Sequence, residues 1–281
     1  IEKADAIFVG VGAGLSTSAG LTYSGARFEK YFSDFEEAYG FHDMYSGGFY
    51  PYATKEEYWG YWARYIACNR YENKPLKAYC DLLKVLKNKD FFVLTTNVDH
   101  QFQLAGFDKK RLFYTQGDYG LFQCSVPCRQ KTWSNKETVY SMLQAQSKAH
   151  KEGGNSMVVP SELIPVCPHC GAPAVMNLRS ETFVEDEGWH VAAQRYRDFV
   201  RRNKDARVVF LELGVGFNTP VIIKYPFWQM TYANKKATFA SINQIEPLVP
   251  HEIKSQSLLV KEDIGNVLEQ LIELQRTGRV A

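Results

Sequence analysis

The chain predicts an α/β fold, a doubly wound and mostly parallel sheet with a smaller module and a helical insertion. Three observations predict it. Short continuous apolar runs end in glycine or polar residues, as strands buried on both faces do. Segments with apolar residues at helical spacing lie between those runs, the alternation of a parallel sheet. The alternation breaks twice, once for an aromatic-rich stretch and once for a stretch holding two close cysteine pairs.

Composition is compatible with this and excludes several classes. At 281 residues, 45% hydrophobic and 14% aromatic, the chain can bury a large core as one large α/β domain or as one domain with a substantial insertion. A net charge of +2 makes no electrostatic case for nucleic acid or a membrane surface. No basic-aromatic stripe accompanies the cysteines. No apolar run is long enough to span a membrane. The sequence starts at Ile1 without a signal-peptide pattern, so a cytoplasmic location is expected.

The first element is the apolar run from Ala6 to Val11, a buried strand. It leads into Gly10-Val11-Gly12-Ala13-Gly14-Leu15-Ser16, a glycine turn before a helix, where backbone can approach a pyrophosphate. This turn departs from the common G-x-G-x-x-G spacing, which needs glycine at Leu15 or at Thr17. Residues 28–71 are dense in aromatics and lack strand-like runs, so a helical module is expected there. Within it Thr54 and Glu57 have capping-box spacing. Pro75 opens a helix with Leu76, Tyr79, Leu83 and Leu86 on one face. Phe91 to Thr95 is the next strand. Residues 117–189 read as an irregular, metal-stapled module. Strands resume at Val208–Leu213, Thr238–Ile242 and Leu258–Val260, and an amphipathic helix over Ile264, Val267, Leu268, Leu271 and Leu274 closes the chain. The expected divisions are a Rossmann-like nucleotide-binding domain (1–27, 72–116, 190–281), a helical module (28–71) and a zinc-binding module (117–189).

Two constellations carry chemistry. Asn97 and Asp99 follow Thr95 and Thr96 at a strand's carboxyl end, where α/β sheets bind ligands; their bland reading is a capped turn. Cys124 and Cys128, followed after 38 intervening residues by Cys167 and Cys170, have the spacing of a four-thiolate zinc site. His169 is a possible substitute for one thiolate. Cys68 and Cys80 lie on apolar helical patterns and read as packing.

These residues together resemble the sirtuin family of NAD-consuming enzymes. Gly12 to Ser16 matches the family's Gly-Ala-Gly-x-Ser residue for residue, and Gly20 also matches. Asn97 and Asp99 match its Asn-Ile-Asp, and Ala105-Gly106 is family-like. Gly214 and Pro220 match the ends of its second cofactor loop, which here holds Val215, Gly216 and Asn218. Asn243 matches an adenosine-ribose contact, and Asp263 with Ile264 falls where the chain borders adenine. The resemblance implies NAD as co-substrate and a structural zinc ion. It implies cofactor contacts from Gly12, Ala13, Gly14, Ser16, Gly20, Thr96, Asn97, Asp99 and Gln116 and from the distal residues just named. Tyr23 stands where the family has aspartate. Arg27 and Phe28 are assigned, in shifted form, as the family's arginine and aromatic.

Two departures redirect the chemistry. Gln116 replaces the family's histidine, its general base, and glutamine cannot take up a proton near neutral pH. The segment Asn177 to Glu185 lacks the proline and tryptophan of the acyl-lysine groove. Both features, with Tyr45 to Tyr52 and Thr115 to Gly120, resemble the macrodomain-linked class M sirtuins. That resemblance implies a protein ADP-ribosyltransferase acting on a lipoylated carrier similar to the glycine-cleavage H protein, with a macrodomain protein as eraser. The expected catalytic residues are Asn97, which orients ribose and acceptor, Asp99, which fixes nicotinamide, and Gln116, which holds ribose hydroxyls. The alternatives are an NAD-dependent lysine deacylase and a non-catalytic NAD or ADP-ribose sensor.

Overall fold

The computed structural model describes residues 1–217, 220–245 and 247–277. In chain order it begins with β1 (Ala6–Val11), α1 (Ala13–Ser18), α2 (Ala26–Tyr39), α3 (Met44–Gly48) and α4 (Lys55–Ile66). Next come α5 (Lys77–Val85), β2 (Phe91–Thr95), α6 (Gln101–Leu104), β3 (Leu112–Tyr114) and β4 (Gly117–Cys124). They are followed by β5 (Trp133–Ser134), α7 (Lys136–Lys151), β6 (Ala174–Leu178), α8 (Glu187–Arg202) and β7 (Val208–Leu213). The last are α9 (Lys224–Ala233), β8 (Thr238–Ile242), β9 (Ser257–Val260) and α10 (Ile264–Thr277). The chain divides into two compact units.

The first unit comprises Ile1–Gly20, Lys74–Gln116 and the chain from Glu187. Its sheet has the order β3-β2-β1-β7-β8-β9, with every pairing parallel. This is the doubly wound sheet that the apolar runs predict. Strand order reverses about β1, and such switch points are where α/β sheets bind ligands. All six residues of β1 are buried, as are all six of β7. Alternate residues serve opposite faces. Ile7, Val9 and Val11 pack with Tyr79, Leu82 and Leu268, whereas Ala6 and Phe8 pack with Phe199, Phe210 and Phe227. Gly10 continues the second face, and there a Cβ would lie 2.3 Å from Ile223. The glycine is thus demanded by packing of α9.

Four elements of this unit, α6, β3, α8 and α9, have no counterpart in the sequence reading. β3 is three residues long and sits at the sheet edge, too short to show a period. α8 carries Trp189, Ala193, Tyr196, Phe199 and Val200 against β1 and β2, and it starts inside the stretch expected to be irregular.

The second unit comprises Leu21–Asn73 and Gly117–Asp186. Its aromatic segment is helical as expected. Phe28, Phe32, Phe35 and Tyr61 are all under 2% exposed, and burial of such a ring contributes about 1.5–3 kcal/mol. The α4 capping box is complete: Thr54 Oγ1 accepts from Glu57 N–H at 3.1 Å, and Glu57 Oε2 accepts from Thr54 N–H at 3.0 Å. The segment from Gly117 corrects the expectation of irregularity. It contains an antiparallel sheet, β5-β4-β6, and the 16-residue helix α7. Glycines 117 and 120 hide the strand β4, and only Val139, Met142 and Gln146 of α7 are buried, a narrow stripe.

Candidate active site

The carboxyl ends of the first unit's strands are knitted edge to edge by backbone. Thr115 N–H donates to Thr95 O at 3.0 Å, Thr96 N–H to Val11 O at 3.1 Å, and Gly12 N–H to Leu213 O at 3.1 Å. Beyond them Gly214 N–H donates to Ile242 O at 3.0 Å and Asn243 N–H to Val260 O at 3.1 Å. The glycine turn after β1 lies directly on the end of β7. A Cβ on Gly12 would stand 2.7 Å from Gly214 O, so no larger residue fits. Ala13 and Gly216 are exposed, Val215 is buried, and Gly20 takes a left-handed φ of 96°.

Beneath this turn a buried polar cluster gathers residues from three stretches of the sequence. Asn97 Nδ2 lies 3.0 Å from each of Gly12 O, Ser16 Oγ and Tyr79 Oη. Ser16 Oγ donates to Asp99 Oδ2 at 2.5 Å and lies 2.7 Å from Tyr79 Oη. Asp99 Oδ1 accepts from Gln101 N–H at 3.0 Å. Ser16, Asn97 and Asp99 are all under 10% exposed, where unpaired polar groups are costly. Three expected site residues therefore meet. Gln116 sits just past the Thr95–Thr115 bond at the end of β3 and is half-buried. Thr96 is half-buried beside Asn97, with its Oγ1 3.5 Å from Val11 O.

Three participants escaped the sequence reading. In the sequence Tyr79 belongs to an apolar helix face; burial and the neighbouring Asp99 charge hold its pKa well above the usual phenol value. The signal was available, because a tyrosine in a buried stripe must find a partner for its hydroxyl. Glu212 and Lys224 form a buried ion pair, Nζ to Oε1 2.6 Å, and Ser241 Oγ donates to the same oxygen at 2.9 Å. Burial raises the Glu212 pKa despite the ammonium. The pair anchors β7 two residues before Gly214.

The distal expected residues serve the loop ends. Asn243 Oδ1 accepts from Ile245 N–H at 3.2 Å, and its Nδ2 lies 3.5 Å from Val215 O. Asp263 Oδ1 accepts from Asn266 N–H at 3.1 Å, an N-cap for α10, and Ile264 is buried in the core. Asn218 lies outside the described residues.

Tyr23, Arg27 and Phe28 belong to the second unit. Tyr23 Oη is 3.0 Å from Tyr119 Oη. Arg27 donates to Thr22 O at 2.9 Å and to Cys68 O at 2.7 Å. Phe28 is 1% exposed, with its ring packed on Phe32 and Phe41; within this unit it acts as core.

The four paired cysteines converge, with all Sγ atoms within 4.8 Å of one another. Cys124–Cys170 and Cys128–Cys167 are 3.6 and 3.7 Å apart, and thiolates about 2.3 Å from a tetrahedral ion stand about 3.8 Å apart. The donor set therefore fits zinc, and His169 stands outside it. Backbone N–H groups of Cys170 and His169 lower the Cys167 thiol to about 7. Gly171, at φ 73°, lets the chain turn back so that its N–H reaches Cys167 O at 2.9 Å.

Solved Sir2 structures share the fold. A mutant Sir2 homologue in complex with ADP-ribose aligns at TM-score 0.60 and 14% identity, over 99% of this chain and 94% of that one. A Sir2 protein bound to an acetylated peptide aligns at 0.59 and 15%, over 99% and 96%. No protein-family model matches the chain. A Staphylococcus aureus protein ADP-ribosyltransferase is 36% identical over 270 residues, 95% of this chain and 83% of that protein. The chain belongs to the sirtuin-fold protein ADP-ribosyltransferases. A Fusarium oxysporum protein, named a probable bifunctional ADP-ribose hydrolase/ADP-ribosyltransferase, is 28% identical over 291 residues. The match takes in 97% of this ADP-ribosyltransferase homologue but 46% of the fungal protein's length. Among the described residues no helix is long and apolar enough to cross a membrane.

Proposed function

We propose that the protein is an NAD-dependent mono-ADP-ribosyltransferase whose acceptor is a lipoylated carrier protein similar to the glycine-cleavage H protein. One observation carries the transferase reading. The Asn97–Asp99 cluster is assembled at the strand ends, whereas glutamine occupies position 116. The relative of Staphylococcus aureus supports the activity, and the loss of the acyl-lysine groove sequence turns the acceptor away from ordinary acyl-lysine peptides.

The reaction breaks the bond between ribose C1′ and the nicotinamide nitrogen, and the departing pyridine takes that electron pair. An acceptor nucleophile then forms a bond to C1′ and gives up its proton. The transition state has oxocarbenium character, so catalysis rests on positioning and on exclusion of water. In this reading Asn97 orients ribose and acceptor, Asp99 fixes the nicotinamide amide, and Gln116 hydrogen-bonds ribose hydroxyls. A deacylase would also need a base to activate a ribose hydroxyl, a step typically worth about 10²–10⁴-fold, and Gln116 supplies none. Gly12, Gly14 and Gly214 would bring backbone against the dinucleotide. Zinc on the four cysteines would be structural, since a full thiolate shell leaves no open position.

The fungal relative's name joins a hydrolase to a transferase, which supports pairing with a macrodomain eraser. The deciding experiment is mass spectrometry of lipoylated and unlipoylated carrier incubated with NAD and this protein. A gain of one ADP-ribose on the lipoylated form alone is expected. An unmodified carrier with free ADP-ribose accumulating would replace the transferase with an NAD hydrolase, and O-acyl-ADP-ribose from an acylated peptide would restore the deacylase. NAD binding without nicotinamide release would leave a sensor.

A further inference from the structure

Tyr79 is fully buried on α5, its ring edge-on to Phe102 at 4.9 Å. α5 is fixed over the strand ends by a second bond, Leu76 N–H to Gln101 Oε1 at 3.0 Å. These two contacts set the phenol oxygen in the middle of the Ser16, Asn97 and Asp99 cluster.

Counting hydrogens gives the cluster a direction. The Asp99 carboxylate only accepts. Ser16 gives its single hydrogen to Asp99 Oδ2 at 2.5 Å. The 2.7 Å contact between Ser16 and Tyr79 must then use the Tyr79 hydrogen, which burial and the Asp99 charge keep on the phenol. The remaining lone pair of Tyr79 Oη accepts from Asn97 Nδ2 at 3.0 Å. The hydrogens run from Asn97 to Tyr79 to Ser16 to Asp99, with a direct Asn97 Nδ2 contact to Ser16 Oγ at 3.0 Å and a longer one from Tyr79 Oη to Asp99 Oδ2 at 3.4 Å, so that all of them point toward the carboxylate. Both Asn97 amide hydrogens have inward acceptors, among them Gly12 O.

We propose that Tyr79 is a positioning residue for ADP-ribosyl transfer: its hydroxyl relays the Asp99 charge to Asn97 and fixes the asparagine amide with its oxygen presented to the ligand. The inference rests on the function proposed above. Tyr79 touches no reacting atom in it and acts through Asn97. A flipped amide would set NH₂ against the ribose and lose two inward bonds.

Tyr79→Phe keeps the ring and removes only the oxygen. Nicotinamide release from NAD by this variant is expected to show kcat about tenfold lower or more with KM within about twofold, the pattern of a lost transition-state interaction. In the unaltered protein, the Asn97 side-chain amide protons, assigned by their loss in Asn97→Asp, should exchange slowly and resonate well apart. In Tyr79→Phe their protection should fall. An unchanged kcat, or free-amide behaviour of Asn97 in the unaltered protein, overturns the inference; the second measurement stands even where the variant folds poorly. Unaltered protein that releases no nicotinamide would overturn the proposed function as well, and so separates the two failures.

Discussion

Gly14 and Gly214 meet backbone to backbone. A Cβ on Gly214 would stand 2.5 Å from Gly14 Cα, and one on Gly14 would stand 2.6 Å from Gly214 Cα. Gly14 N–H also donates to Gly214 O at 3.0 Å. The glycine turn and the end of β7 are therefore shaped by each other.

Gly214→Ala combines this overlap with a φ of 60°. A loss of about 1–3 kcal/mol is expected, read as a lower melting temperature with weaker NAD binding. Gly216→Ala, with nothing within 4 Å of its Cβ position, should melt unchanged. Equal melting of the two variants would contradict the close-packed turn.

Asn97→Ala removes the amide that bonds Gly12, Ser16 and Tyr79. Nicotinamide release is expected to fall by about 10²-fold or more, the scale of losing a positioned donor or acceptor at a charge-developing centre. Retained turnover would remove Asn97 from the reaction.

Gln116→His restores a titratable base, yet deacylation of an acetyl-lysine peptide should stay undetected because the groove segment Asn177 to Glu185 differs as well. Rapid deacetylation by this variant would show that the base alone separates the two chemistries.

The sheet was legible where burial on both faces left an unbroken apolar run, at β1, β2 and β7, and from shorter apolar runs at β8 and at the edge strand β9, whose Leu258 and Leu259 are exposed. It was not legible at β3, whose three residues give no period, nor at β4, where glycines interrupt the run. Polar strand ends announced Asn97 and Asp99, and the knuckle spacing announced the cysteines. Tyr79 was hidden because its ring satisfies the helical stripe while its hydroxyl serves another element. Phe28, an aromatic beside the motif, packs into its own unit's core.

The cysteine cluster should carry one zinc ion per chain by elemental analysis. Cys167→Ser is expected to lose it and to lower the melting temperature, since the cluster joins the end of β4 to the segment before β6. Full stability without metal would show that the thiols are packing.

The aromatic core of the second unit should fail in alkali. Burial raises Tyr39 and Tyr58 to about 12, and burial with the Asp118 charge raises Tyr71 to about 12 against the Arg70 cation; burial also raises Tyr61 and Tyr65. Because the folded values exceed the unfolded one, their stabilisation is complete below about pH 10 and is lost as pH rises toward 12. Tyrosinate absorbance and loss of near-ultraviolet circular dichroism should rise together through that window. Ionisation of Tyr39, Tyr58, Tyr61, Tyr65 or Tyr71 near pH 10 in folded protein would contradict the packing.

The pairing of Ala6 with Val208 in the central strands sets an order of events during synthesis. β1 leaves the ribosome well before β7, the neighbour that completes it, which waits until both inserted segments have been translated. Such long sequence separations slow folding and leave hydrophobic strand exposed. The second unit interrupts the first twice, so β1 has one finished flank and one open flank from the synthesis of β2 until that of β7. That open flank is the natural place for a chaperone to hold the emerging chain.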